Sequence, residues 1–119
     1  MSDAVCFNAC KIADNLNAKA IVSMTESGYT AFQISSYRPK ARVFIFTANK
    51  SLLNTLSLVW GVKVFYYNRF VSTDETIMDV KHILKKNGYV KSGDVIVNTA
   101  SMPINERQRT NTLKISKVV

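Results

Sequence analysis

The sequence predicts an α/β domain with three layers, α/β/α, around a five-stranded mixed sheet that is mostly parallel and whose last strand is antiparallel. Two observations lead to this prediction. Short apolar runs without polar alternation, typical of strands buried on both faces, take turns with segments whose apolar residues recur every three or four positions. The resulting order is α-β-α-β-α-β-α-β-β, in which single helices join parallel strands by right-handed crossovers and a loop leads to the reversed final strand.

The first part of the chain contains two helix–strand units. A helix is predicted from Asp3, its expected N-cap, to about residue 17, because its apolar residues form one face. The apolar run Lys19–Ser23 is the first strand. Tyr29–Tyr37 has helical spacing and ends before Pro39. The β-branched and aromatic run Arg42–Thr47 is the second strand.

The next unit is a helix that begins after Asn49, a favoured N-cap residue, and ends at Gly61, which suits the C′ position. Its apolar face is formed by leucines, Val59 and Trp60. The run Val62–Tyr67 is then the third strand.

The last part contains a helix, a strand, a loop and a final strand. Ser72–Glu75 has a capping-box pattern at the start of the helix, which closes at Gly88. Val95–Val97 with its flanks is the fourth strand, and the loop Ala100–Asn111 follows it. The fifth strand, Leu113–Val118, is partly alternating and bears lysines, which is typical of a sheet edge or an interface.

Length and composition indicate one globular domain over residues 1–119. Nearly half of the residues are apolar, and the formal net charge is +8. The basic residues are scattered in short groups that no aromatic residues interrupt, so a solvated basic surface is favoured over a nucleic-acid partner.

Several functional classes find no support in the sequence. No signal peptide opens the chain and no apolar run approaches the ~20 residues of a membrane span, so we expect a cytoplasmic protein without a membrane partner. Cys6 and Cys10 are expected to be reduced, partly buried thiols, and His82 to be solvated. No catalytic motif or general acid/base pair is present, so we assign no catalytic residue, no metal ligand and no cofactor.

The turn between the first strand and the second helix has the composition of an anion site. Thr25, Ser27 and Thr30 bring hydroxyl groups, and Gly28 allows the backbone to approach a ligand closely. The first N–H groups of a helix are unpaired and lie at the positive end of its dipole, which favours an anion. An ordinary Ser/Gly turn with a helix cap remains the alternative interpretation.

Two arginines in the late loop are the candidate partners of this turn. Arg107 and Arg109 follow the fourth strand, so they and the turn both leave carboxyl ends of parallel strands, where α/β sheets bind ligands. Guanidinium groups form charge-assisted hydrogen bonds with phosphate. We therefore predict that both arginines help to bind a phosphate-bearing ligand.

Several short motifs resemble the C-terminal domain of the pyruvate kinases, from about Asp3 to the end of the chain. They occur in the family's order and at fitting spacing: Asn17–Val22 followed by Thr25–Gly28, Tyr37–Ala41 (YRPKA), Leu58–Val62 (LVWGV), Lys91–Asp94 and Thr110–Thr112. The resemblance implies a regulatory and oligomerisation domain. It also implies that phosphoryl transfer from phosphoenolpyruvate to ADP, with its Mg²⁺ and K⁺ sites, belongs to a β/α barrel and a lid domain whose sequence is absent here.

The resemblance further implies an effector site and a subunit contact. By position, phosphate contacts fall on Thr25, Ser27, Gly28 and Thr30, under the loop of residues 100–110. Glu26 stands where animal enzymes that respond strongly to fructose bisphosphate have lysine, and the late loop lacks the family's usual glycines. We therefore expect a sugar monophosphate or a nucleoside monophosphate such as AMP.

The family's last strand lies near the subunit interface, so the resemblance implies self-association through Leu113–Val118. The alternative to a pyruvate kinase domain is a stand-alone module that binds a phosphate ligand, RNA or a protein and has no catalytic role.

Overall fold

The computed structural model describes residues 2–25, 28–59, 61–68, 73–100 and 112–118. Nine elements follow one another in the predicted order: α1 (Ser2–Leu16), β1 (Ala20–Met24), α2 (Tyr29–Ser36), β2 (Arg42–Thr47), α3 (Ser51–Leu56), β3 (Val62–Tyr66), α4 (Thr73–Lys86), β4 (Val95–Ala100) and β5 (Thr112–Lys117). Among these residues, no helix is long and apolar enough to cross a bilayer.

The five strands form one sheet in the order β3-β2-β1-β4-β5. β1 pairs in parallel with both β2 and β4, and β2 pairs in parallel with β3. β5 runs antiparallel to β4 and lies at one edge of the sheet. The predicted mixed sheet, the reversed last strand and its edge position are therefore confirmed.

Helices cover both faces of the sheet, which confirms the three layers. One face carries Ile21, Val43, Ile45 and Val97 and packs against α1, α2 and Leu56 of α3. The other face carries Ala20, Val22, Phe44, Phe46 and Ile96 and packs against Val80 and Leu84 of α4. Because every β1 residue from Ala20 to Ser23 is at most 1% exposed, the absence of polar alternation in this strand has a simple cause: both of its faces are buried.

Aromatic rings fill the layer beneath α4. The Phe46 and Phe65 rings stack with centroids 5.1 Å apart, and Tyr89 lies 4.9 Å from Phe44. Tyr67, directly after β3, donates its hydroxyl proton to Asp79 Oδ2 at 2.6 Å. This charge-assisted hydrogen bond ties α4 to the end of β3.

The third helix is shorter than predicted: α3 ends at Leu56, whereas the sequence predicted a helix up to Gly61. The N–H groups of Leu58 and Val59 bond to carbonyls three residues back rather than four, so a tighter turn replaces the last helical turn. Asn49 precedes the N-cap residue Lys50, and its Oδ1 accepts the Ser51 N–H at 3.1 Å. Trp60 and Ser72, which the sequence assigned to a helix face and a capping box, lie outside the described residues.

Both cysteines are free thiols on the buried face of α1. Cys6 is 0% and Cys10 5% exposed, so they are more deeply buried than the sequence indicated. Cys10 Sγ lies 3.9 Å from the Ile34 carbonyl oxygen across the α1–α2 contact. Burial, followed by the neighbouring Cys6 and Asp14, raises the pKa of the Cys10 thiol to about 12. The folded protein therefore holds this thiol in its neutral form far into the alkaline range.

This raised pKa makes stability depend on pH. A thiol in the unfolded chain ionises at a pKa of about 8.5, so ionisation favours unfolding above that pH. The contribution is fully present below about pH 8.5 and is lost as the pH rises toward 12. In urea unfolding between about pH 9 and 11, we expect the free energy of unfolding to fall less steeply for Cys10→Ala than for the wild type, by up to ~1.4 kcal/mol per pH unit. The difference between the two proteins at pH 7 is the baseline, and parallel curves would show that Cys10 ionises freely in the fold.

Candidate functional site at the carboxyl ends of β1 and β4

The carboxyl ends of β1 and β4 lie side by side at the point where the strand order reverses. Ser23 pairs with Thr99, so the turn after Met24 and the segment after Ala100 leave neighbouring parallel strands at the same edge. β1 connects onward to β2 on one side of this pair and β4 to β5 on the other, so the strand order changes direction between β1 and β4, which is where open α/β sheets bind ligands. The sequence placed both candidate segments at such ends, and the pairing of β1 with β4 makes them neighbours.

The turn after β1 is held by its own side chain. The Thr25 N–H donates to the Phe46 carbonyl at 3.2 Å, which fixes the start of the turn on β2. The Thr25 Oγ1 accepts the Gly28 N–H at 3.1 Å. Because a hydroxyl has one proton to donate, Thr25 can still donate a hydrogen bond to an anion while it accepts this one.

Gly28 is required where it stands. Its φ of +84° is in the left-handed region, and an added Cβ would lie 3.4 Å from Leu52 Cδ2 and 3.5 Å from Leu56 Cδ2. The turn therefore rests directly on α3. Gly28 is also the N-cap residue of α2, and it provides no side-chain hydrogen bond to this helix end.

Of the other predicted ligand contacts, the structure describes only Thr30. Thr30 lies on the buried face of α2 and is 5% exposed, so its side chain supports the turn from within. Ser27, Arg107 and Arg109 lie outside the described residues, as does Glu26. Their contact with a ligand stays a prediction.

Ser23 is a residue near this site that the sequence analysis did not single out. Its side chain is fully buried, and its Oγ has no hydrogen-bond partner. The neighbouring hydroxyl of Thr99, by contrast, donates to the Val22 carbonyl at 3.3 Å. A serine inside an apolar run was the only available signal, and it did not reveal that the hydroxyl is unpartnered.

Two of the described charged side chains around this edge have partners. The Lys50 ammonium, next to α3, lies 5.3 Å from the centre of the Tyr66 ring. Lys114 and Asp74 form an exposed ion pair at 3.4 Å. Within the described ranges, no three His, Cys, Asp or Glu side chains group as a metal ion would need. The site as described consists of backbone N–H groups and hydroxyls, which is suited to binding an anion by hydrogen bonds.

Known proteins similar to this chain are pyruvate kinases. The chain is 38% identical to the pyruvate kinase of Clostridium acetobutylicum over 117 residues, which are 98% of this chain and 25% of that protein. It is 32% identical to the Lactobacillus delbrueckii subsp. bulgaricus enzyme, covering 97% of this chain and 20% of that one. The chain thus spans a quarter or less of the length of these relatives.

Solved structures give the same result. Cryptosporidium parvum pyruvate kinase in complex with ADP superposes with a TM-score of 0.89 at 27% identity, over 99% of this chain and 24% of that one. The family described as "Pyruvate kinase, alpha/beta domain" matches residues 3–116. Fold, motif order and sequence identity agree, and this chain belongs to the pyruvate kinase alpha/beta domain family.

Proposed function

We propose that this chain is the C-terminal regulatory and oligomerisation domain of a pyruvate kinase. In this proposal the transfer of a phosphoryl group from phosphoenolpyruvate to ADP, together with the Mg²⁺ and K⁺ it requires, belongs to other domains. Residues 1–119 then act as one domain without activity of their own, in the cytoplasm. Family membership and the share of each relative that the chain spans support this assignment.

The effector site of this domain is the turn after β1. The observation that carries the proposal is Gly28, whose left-handed backbone rests on Leu52 and gives α2 an N-terminus without a side-chain cap. The ligand is a phosphate monoester, either a sugar phosphate or a nucleoside monophosphate. Its phosphate oxygens accept hydrogen bonds from the N–H groups at the start of α2 and from the hydroxyl groups of Thr25 and Ser27.

The remaining predicted residues bind or support the same ligand site. Arg107 and Arg109 approach the phosphate from the loop that follows β4, the neighbour of β1. Thr30 holds the first turn of α2 in place from the buried side. The ligand then joins two segments that leave adjacent strands, and its binding energy is available to fix the late loop over the turn.

A pair of glycine variants tests the effector site. Gly28→Ala places a Cβ against Leu52 and in a left-handed backbone, whereas Gly93→Ala meets the same backbone penalty at φ +93° with no atom within 4 Å. Each substitution costs about 1–2 kcal/mol of stability, since left-handed backbone is unfavourable for alanine. In calorimetric titration with AMP and with ribose 5-phosphate, we expect Gly28→Ala to weaken binding at least tenfold and Gly93→Ala to leave it unchanged.

Urea unfolding of both variants is the control, because it shows that their losses of stability are similar. If Gly28→Ala and the wild type bound the phosphate monoesters with equal affinity, the turn would not be part of the ligand site. Failure of the wild-type domain to bind any phosphate monoester, with the fold intact, would reject the effector site altogether.

Self-association through β5 is the second part of the proposal. β5 is an edge strand, so one side of its backbone is available to a second copy. Ile115 in its centre is 46% exposed, although it lies opposite the buried Val97. A β5–β5 contact between copies extends the sheet and removes this apolar side chain from water.

The test of self-association is a matched pair of edge variants. Ile115→Glu introduces a charge in the centre of β5, and Tyr66→Glu introduces one in β3, the opposite edge strand, where the tyrosine is 43% exposed. By sedimentation velocity, we expect Ile115→Glu to shift the domain toward monomer, with at least a tenfold weaker dimer, because like charges then face each other across the contact. Tyr66→Glu should sediment as wild type. A monomeric wild type, or equal effects of both variants, would contradict a β5 interface.

A further inference from the structure

The amino edge of the sheet, where the four parallel strands begin, carries a dense group of cations. Lys19 directly precedes β1, Arg42 opens β2, and Lys117 lies opposite the first residue of β4. Lys85 and Lys86 form the last turn of α4 at the same edge. The described cations near this edge are exposed; they include Lys19, Arg38, Lys40, Arg42, Lys85, Lys86, Lys91 and Lys117.

Opposite charge at this edge does not balance the cations. The described residues there include two carboxylates, and both accept backbone N–H groups: Asp14 from Lys40 at 3.3 Å, and Asp94 from Lys91 at 2.8 Å. The four described helices end at this edge, and each helix end is equivalent to about half a negative charge. These contributions leave a clear positive excess, so compensation of the helix dipoles does not account for the cations.

A groove of about 450 Å³ opens in the same surface, between the start of β2 and the turn after α3. Pro39, Ala41, Val59 and Val62 give it apolar walls, and Lys40 and Arg42 line it beside them. Leu58, adjacent to the wall, is 89% exposed. A groove whose walls combine apolar side chains with cations fits an acidic ligand that also carries an apolar group.

The Arg42 guanidinium group contacts two aromatic rings in this surface. The centre of its guanidinium group lies 4.8 Å from the Tyr89 ring and 5.7 Å from the Phe44 ring. The ring stacking leaves the edge of the guanidinium group, with its N–H donors, for a carboxylate. A pre-oriented donor fork loses little side-chain entropy when it binds.

We propose that the amino edge is a docking surface for an acidic polypeptide segment, whose carboxylates meet the lysines and Arg42 while one apolar side chain enters the groove. Charge complementarity selects an acidic partner, and the apolar walls select a segment with an apolar anchor. A single-stranded nucleic acid fits less well, because it needs exposed aromatic faces for its bases. The described tyrosines near this edge are already engaged, Tyr89 by Arg42 and Tyr37 by Phe7 at 5.5 Å.

The experiment measures binding of a fluorescent acetylated peptide, Glu-Asp-Leu-Phe-Glu-Asp, by anisotropy. The probes for comparison are the same peptide with two serines in its centre and a 12-nucleotide oligouridine. Lys19→Glu with Lys40→Glu reverses two charges beside the groove, and Ser57→Trp fills the groove from an exposed position without changing charge. Lys11→Glu with Lys50→Glu is the control, since it makes the same change of net charge away from the amino edge.

We expect the apolar acidic peptide to bind more tightly than the serine peptide, with an affinity that falls as salt increases. The Lys19/Lys40 variant and Ser57→Trp should each weaken binding roughly tenfold, the former through charge and the latter by blocking the groove, while the control variant matches the wild type. No binding at low salt, equal binding of both peptides, or equal loss in the control would overturn the proposal. Tighter binding of oligouridine than of the peptide at matched salt would also overturn it and identify a nucleic-acid surface instead. Circular dichroism of each variant confirms that the fold is retained.

Discussion

The parallel pairing of β1 with both β2 and β4 is the constraint on which the rest of the structure depends. It makes β1 the central strand, so the residues Ala20–Ser23 are at most 1% exposed, and it places the change in strand order between β1 and β4. The turn after β1 lies at the carboxyl end of this pair. Gly28 then places this turn on Leu52 and Leu56, so that α3 carries the floor of the candidate site as well as part of the core.

The sequence was sufficient for the order and kind of all nine elements, because both-face burial and helical spacing leave distinct patterns. β5 shows why its edge position was also predictable: exposed lysines, here Lys114 and Lys117, are typical of an edge strand. The end of α3 was not predictable in this way. The apolar residue Val59 continues the helical spacing, whereas the structure places it in a tighter turn that leads into β3.

The site was predictable to a smaller extent than the fold. Strand–turn–helix order and one glycine identified the position of the turn, and two arginines indicated its partner loop. Sequence spacing does not reveal which hydroxyls are buried. Only the structure shows that Thr30 is 5% exposed and that Ser23 is fully buried, with no hydrogen-bond partner for its Oγ. A buried hydroxyl without a hydrogen bond costs about 1–3 kcal/mol, and here it lies beside the candidate ligand site.

Amide NMR during a titration with AMP shows whether the anion site lies at the carboxyl ends of β1 and β4. We expect the amide signals of Thr25, Gly28 and Ala100 to shift together, with one apparent dissociation constant. Signals from Gly93 and Lys40, at the opposite edge, should stay in place. Shifts confined to the amino edge, or no shift at Gly28 at saturating AMP and ribose 5-phosphate, would contradict the account.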